Sequence, residues 1–260
     1  MVRSKSFEEF YYTKTDENHF IEEVVDYAIA NQFDYSPYEG FMRCPECEMA
    51  ELFLVSKSSS ARAHLKKKPT SDHREGCSYM YEYASKKLIE KYVENLNYDK
   101  VQDKLDSMMR MLFKNTHRQS GQQDHNQETT KEEQNPMLIR GDKRELQEVK
   151  AIRRKSLSSW IDASDGTDIR LLYGKVKLEV TEKEAVNKKG KKFTYYLLKL
   201  WTENKLGEWK YRTQIYRGSN KDDVAFDKVY QIAVIGKLNF KWKWWQIDLV
   251  HPSAVRIREV

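Results

Sequence analysis

The chain has 260 residues, 39% hydrophobic and 33% charged, with a formal net charge of +6 and a mean hydropathy of -0.84. That length suits one large domain or two smaller ones. No run approaches the ~18 apolar residues of a membrane span, and the opening MVRSKSFEEFYYTK has no apolar core of a secretory signal. With its thiols free, the chain is expected to be cytoplasmic. Its mildly basic balance permits binding to nucleic acid without predicting it.

In chain order, a ragged start carries the aromatic anchors Phe10, Tyr11 and Tyr12. A helix is expected from Glu17 to Asn31, capped by Thr15 or Asp16, with Phe20, Val24, Tyr27 and Ala28 on one face. Pro37 and Gly40 then punctuate the approach to an extended GFMRC.

The stretch Arg43 to Tyr79 holds all three cysteines, Cys44, Cys47 and Cys77, with His64 and His73. A CxxC spacing lets one tight turn aim two thiolates at one ion, and His73 and Cys77 share a face on a helical turn. A Cys44–Cys47 disulfide would leave Cys77 odd and suits an oxidising compartment. Three unrelated buried thiols are the other alternative. The clustering favours a zinc site of Cys44, Cys47, His73 and Cys77, with His64 as the alternative fourth ligand. A filled Cys3His set leaves no position for a reacting water, so the zinc is expected to be structural.

Between the ligand pairs, Glu51 to Ser56 and Ala61 to Lys66 read as a hairpin around KSSS. The run Lys66-Lys67-Lys68 reads as a solvated strand end or a phosphate contact. A helical pattern spans Ser78 to about Phe113, broken near Asn95 to Asp99 with Asp99 as a second cap. Met108, Met109 and Met111 read as core or partner contacts. Residues 115–135 hold almost nothing that could be buried and read as a flexible linker. The expected division is therefore a zinc module with its helices (1–114), the linker (115–135) and a β domain (136–260).

In that β domain a short extended piece, Met137 to Arg140, leads to the cluster Arg153, Arg154 and Lys155, which could brace the domain or contact phosphate. From Leu171 the apolar period becomes two. LLYGKVKLEV, FTYYLLKLW, EWKYRTQIY, KVYQIAVIGKL and KWKWWQIDLV are five strand-like runs, and AVRIREV is a sixth, short one. The polar segment Ser219 to Phe226 could form a helical turn. This order predicts an α+β protein: a small zinc-stabilised helical and β-hairpin module followed by a five-stranded OB-like barrel. A small sandwich or SH3-like barrel is the competing closure.

Alternation places Leu172, Val176, Leu178 and Val180 inward around Gly174. It groups Trp209, Tyr211, Thr213 and Ile215 on one side, and Trp245, Ile247 and Leu249 in the core. Phe240, Trp242 and Trp244 fall on the opposite face. Lys175, Lys177, Lys210, Arg212, Lys241, Trp242, Lys243 and Trp244 then form a candidate surface for single-stranded DNA or RNA, because cations track a phosphate backbone and flat rings stack on bases. The same aromatics would equally suit a core or a patch for a protein partner.

Over roughly residues 39–95 the metal stretch resembles the zinc-binding region of the competence protein CoiA family, on Cys44-Pro45-Glu46-Cys47, Ala63-His64-Leu65 and His73 to Cys77. Leu65 stands where that family has an aromatic, and Lys67 where a second histidine is common. The resemblance implies a setting in bacterial phage defence or DNA uptake, and it brings a nuclease to mind as a further alternative. The Asp…Glu-x-Lys pattern of such nucleases is not found; Asp168, Glu179 and Lys183 lack that arrangement. There is also no Gly-rich phosphate loop, GxSxG or HExxH. A non-enzymatic protein is therefore expected, with nucleic acid as its partner, or alternatively an accessory or inhibitor subunit that grips another protein through the barrel and the Met-rich helices.

Overall fold

The computed structural model describes residues 5–59, 62–113, 135–140, 148–162, 165–166, 168–241 and 244–260. Residues 115–134 of the expected linker, and Trp242 and Lys243, lie outside these. Lys241 is described in its backbone alone. The chain divides into two compact units, one of Met1–Tyr83 with Lys114–Ala151, the other of Ala84–Phe113 with Ile152–Val260. The helical pattern expected in the zinc module from Ser78 to Phe113 therefore belongs from Ala84 onward with the β domain, and residues 136–151, expected in the β domain, belong with the first unit.

In the first unit, β1 (Ser6–Phe7), β6 (His64–Lys67) and β5 (Leu52–Val55) form one small sheet. A second comprises β3 (Glu17–Phe20), β2 (Glu9–Tyr12) and β4 (Met42–Arg43). The expected helix from Glu17 starts late: Glu17–Phe20 pairs with β2, and α1 covers Ile21–Ala30 with no side-chain cap. Sheet pairing takes the first turn because it seats Phe10 and Phe20 in register with His19 and Glu9. Phe7, Phe10, Ile21, Val24, Met42, Leu52 and Leu65 build the core, and the three cysteines are part of it. Strands β7 (Leu138–Arg140) and β8 (Val149–Ala151) form a short pair in the same unit.

The second unit opens with α2 (Lys86–Glu94) and α3 (Tyr98–Leu112). Ser85 caps α2 through Leu88 N–H at 3.3 Å. The helix break falls as expected, but Asn97 rather than Asp99 caps α3, accepting from Lys100 N–H at 3.0 Å.

The main sheet closes into a five-stranded barrel. β10 (Ile169–Val186) pairs with β11 (Lys192–Glu203), which pairs with β12 (Trp209–Gly218). β12 lies parallel to β14 (Trp244–Leu249), and β14 pairs with β13 (Tyr230–Lys241), which returns to β10. One long strand serves both ends of this circuit. Residues 169–176 of β10 take β13, and residues 177–186 take β11. The parallel β9 (Arg154–Ser156) occupies the edge opposite β13 at Leu171 to Tyr173. β15 (Val255–Glu259) extends the sheet beside β13.

The barrel core follows the expected alternation on β10. Leu172, Val176 and Leu178 are buried with Leu198, Leu200, Ile215, Ile232, Val234, Leu238 and Ile247, and Val180, Trp245 and Leu249 are packed against them. Ser219 to Phe226, where a helical turn is expected, is irregular chain; Arg217 pairs with Asp222 across that segment at 2.8 Å.

On the outer side, Leu171, Tyr173, Ala233 and Ile235 are also buried. The apolar face of α3, with Val101, Leu105, Met108 and Met109 buried, packs at β13 and β15, and Phe113 meets Tyr173 edge-on at 6.0 Å. Gln102 donates to Ser253 O at 2.7 Å, and Asp106 pairs with Arg256 and Arg258 at 2.9 and 3.0 Å. Two of the three methionines thus serve as core.

The basic cluster ahead of the barrel proves to be a brace at Lys155. Lys155 and Arg170 both reach the buried Asp165, at 3.1 and 3.0 Å, and Lys155 also donates to Trp160 O. Such a group leaves a charge stranded if one partner is removed.

Gly236 lies where β13 passes between β10 and β14, pairing with Arg170 and Leu249. A Cβ there would stand 2.7 Å from Asp248 O and 3.0 Å from Ile247 Cγ2. Because backbone cannot swing aside, Gly236→Ala is expected to cost about 1–3 kcal/mol. A shift of the urea midpoint at unchanged slope would show it; an unshifted midpoint would mean that the barrel closes by another route.

Candidate metal centre and barrel surface

The CPEC turn is built by backbone hydrogen bonds. Cys44 N–H donates to Ala50 O at 2.8 Å and Glu48 N–H to Cys44 O at 2.9 Å, which curls the chain so that both thiols face inward. Glu48 takes a left-handed φ of 58° to close it, a conformation that costs a side-chain-bearing residue about 1 kcal/mol or more. The second pair comes from the loop after β6. Here the expected helical turn is a plain one, with Cys77 N–H donating to Arg74 O at 3.1 Å and Gly76 at φ 77°.

These two turns bring Cys44, Cys47, His73 and Cys77 together, with all four ligand atoms within 4.8 Å of one another. Cys44 Sγ lies 3.8 Å from Cys77 Sγ, and His73 Nδ1 is 3.4 Å from Cys47 Sγ and 3.5 Å from Cys77 Sγ. A tetrahedral ion with metal–sulfur bonds of ~2.3 Å and metal–nitrogen bonds of ~2.0 Å spans edges of about 3.8 and 3.5 Å. The residues present therefore fit a metal ion. His64 is not one of the four; its Nδ1 lies 3.1 Å from Arg62 O on β6.

Burial pushes the Cys44 thiol up to about 12. Cys77 is pushed up too, chiefly by its hydrogen bonds to Cys44 and Cys47 and then by burial. Cys47 is held low by hydrogen bonds from Cys44 and Cys77, with His73 and the Ala50 amide contributing. A bare pocket would thus keep protons among its crowded sulfurs, which a divalent cation would replace.

Two residues around the ligands carried no signal in the sequence. The Glu46 carboxylate accepts from Ser78 N–H and Ser78 Oγ, both at 2.5 Å, so the first knuckle grips the residue after Cys77. Asn135 donates to Glu46 Oε1 and to Gly76 O, both at 2.7 Å. Expected at the end of a flexible linker, Asn135 instead helps to hold the two ligand turns together. The ring of His73 lies 5.9 Å from that of Phe7 and 6.1 Å from that of Tyr79, fixing its orientation.

The barrel surface differs from expectation in one place that matters. Leu200 pairs with Thr213 but Trp201 pairs with Tyr211, so Arg212 is an extra residue in β12. This bulge reverses the side-chain alternation. Thr213 and Ile215 remain in the core, whereas Tyr211 and Trp209 turn to the outer face. There Tyr211 meets Trp201 at 5.8 Å and Trp244 at 5.6 Å, both edge-on. Phe226 meets Trp201 at 5.6 Å, and the Lys177 ammonium sits 5.2 Å from the Trp209 ring and 5.7 Å from that of Phe226. Trp244 is 57% exposed and Phe226 46%.

Of the other expected contacts, Lys175 and Lys210 are exposed, Lys210 beside Glu208 at 3.0 Å. Arg212 is not available as a phosphate ligand: its guanidinium donates to Leu157 O, Ser158 O and Ser159 O at 2.6, 3.0 and 2.8 Å. Phe240 stands opposite Trp245 and meets it at 5.2 Å, which puts it on the Trp245 side of the sheet rather than with Trp244. The pairings of β11 add Tyr195 and Tyr216, 5.5 Å apart, to the outer face. Period-two reasoning missed the role of Tyr211 and Trp209 because nothing in the sequence marks the bulge.

The metal centre yields two expectations. Glu46→Ala should weaken metal binding roughly 10–100-fold while His64→Ala leaves it unchanged, as read by competition with a chromophoric chelator; equal effects would reinstate His64 as a ligand. Bound metal should also fall as pH is lowered, because protons compete for the thiolates, and metal content measured after dialysis across a pH series checks this. In comparisons with protein-family models, curated proteins and solved structures, nothing matches this chain.

Proposed function

We propose that this protein binds single-stranded nucleic acid on the β11–β12–β14 face of an OB-like barrel, and that its other unit is ordered by one structural zinc. The observation that carries the reading is an asymmetry of the barrel's outer surface. One side, at β13 and β15, is covered by α3, whereas the other presents Trp201, Trp209, Tyr211, Phe226 and Trp244 with Lys177. Rings offer a face to every base, and lysines among them attract the backbone, so such a surface suits a strand without demanding a sequence.

The circuit β10–β11–β12–β14–β13 supports the OB-like assignment, since the first strand is shared between two neighbours and the third lies parallel to the last. OB-type barrels use the faces of their second and third strands for oligonucleotides, which here are β11 and β12. The ligand set supports zinc: three buried thiolates and one half-buried imidazole are the usual choice of a structural zinc ion. The role is a binding one, with no catalytic step assigned to the metal. A protein-gripping role for the Met-rich helices is disfavoured, because Met108 and Met109 are buried.

Fluorescence anisotropy with labelled single-stranded DNA and RNA at two salt concentrations tests the proposal. Tyr211→Ala combined with Trp244→Ala should weaken binding at both salts, by ~1–3 kcal/mol for each stacked base lost. Circular dichroism should show the barrel intact. Absence of binding by the unaltered protein at low salt, or an unchanged affinity in the double variant, would sink the assignment.

A further inference from the structure

β10 and β11 continue beyond the barrel wall as a two-stranded ribbon. β13 leaves β10 after Val176, and β12 reaches along β11 only to Tyr196. Beyond that, Lys183↔Tyr195, Glu184↔Thr194, Ala185↔Phe193 and Val186↔Lys192 pair with each other. The ribbon ends in Asn187-Lys188-Lys189-Gly190-Lys191. Asn187 Oδ1 accepts from Lys189 N–H at 2.9 Å and Lys191 N–H at 3.0 Å, and Gly190 supplies a φ of 76°. The tip is therefore a locked turn with exposed lysines. Among the described residues, no carboxylate pairs with Lys188, Lys189 or Lys191.

Alternation sorts the ribbon's charges. Lys183 shares a face with Lys177, opposite Tyr195, while Glu182 and Glu184 point to the other face. The aromatic strip of the barrel continues onto the first face through Tyr216 (48% exposed), Tyr195 and Phe193 (41% exposed). From Trp201 to Phe193 this strip covers ~26 Å at ~3.3 Å per residue, enough for the shorter site sizes of such barrels, about four nucleotides or more.

We infer that the β10–β11 ribbon is a second nucleic-acid contact, a clamp in which Lys183, Lys188, Lys189 and Lys191 hold the phosphate backbone of a strand whose bases lie on the barrel face. The inference rests on the nucleic-acid reading above and divides its labour. Stacking on the barrel supplies affinity that salt hardly touches, whereas the ribbon supplies the salt-dependent part, because each phosphate neutralised releases counterion.

The test measures binding of a labelled 15-nucleotide oligothymidylate over a series of salt concentrations. The full-length protein is compared with a variant carrying Lys183→Ala, Lys188→Ala, Lys189→Ala and Lys191→Ala, and with Tyr211→Ala/Trp244→Ala. The ribbon variant should bind with a salt slope shallower by about 2 to 3, at ~0.7 for each single-strand phosphate contact. The barrel variant should keep the slope of the unaltered protein and lose affinity at every salt. If the ribbon variant keeps the parent slope while the parent binds, the clamp is overturned and the barrel reading stands. If the parent does not bind, both fall. Polyglutamate that competes as well as the oligonucleotide, and loses that ability in the ribbon variant, would assign the ribbon to acidic proteins and overturn the clamp.

Discussion

The barrel depends on the division of β10 between two neighbours. Its first half carries β13 and its second half β11, so a single strand is the seam through which the sheet closes. Gly174 sits in the first half, where an added Cβ would stand 3.3 Å from Leu157 Cβ. The strand can bend there against the chain that enters the barrel. Closure removes the exposed edges a five-stranded open sheet would present. It also leaves two unlike outer surfaces, one for α3 and one for solvent.

A different constraint orders the other unit. Its strands are only two to four residues long, too short to define a sheet by pairing alone. The Glu46–Ser78 and Asn135–Gly76 hydrogen bonds tie its turns together around the Cys44, Cys47, His73 and Cys77 cluster, where a larger domain would rely on apolar contact area. That is why the cysteines lie in the core beside Phe7, Phe10 and Leu65 rather than at a surface. A metal held by these residues would act as a staple.

The solvent face of the barrel is decided by one extra residue in the β12 ladder. Without the bulge at Arg212, Tyr211 and Trp209 would join Thr213 and Ile215 in the interior, and the outer surface would lose two rings. The bulged residue is itself tied down by three carbonyls of Leu157 to Ser159, so the device that exposes the aromatics is anchored by the chain entering β10. Position and fastening belong together here, because a bulge without partners would leave a guanidinium and an irregular ladder to solvent.

Much of this was legible in the residues. The ligand set could be read because coordination chemistry imposes short local spacings, CPEC and His73 to Cys77, that survive any tertiary arrangement. The inward residues of β10 and the helix break near Asn97 were legible for the same reason: period and capping are local. Three things were not. Helix α1 lost its first turn to a strand pairing with β2, helices α2 and α3 belong with the barrel rather than the metal module, and the bulge reversed the faces of β12. Local residue order is enough to say which side chains could bind a metal and which segments alternate. Tertiary structure alone decided which fourth ligand reaches the sulfurs and which aromatics face water, because both depend on contacts between segments far apart in the chain, where loop closure and register carry no local signature.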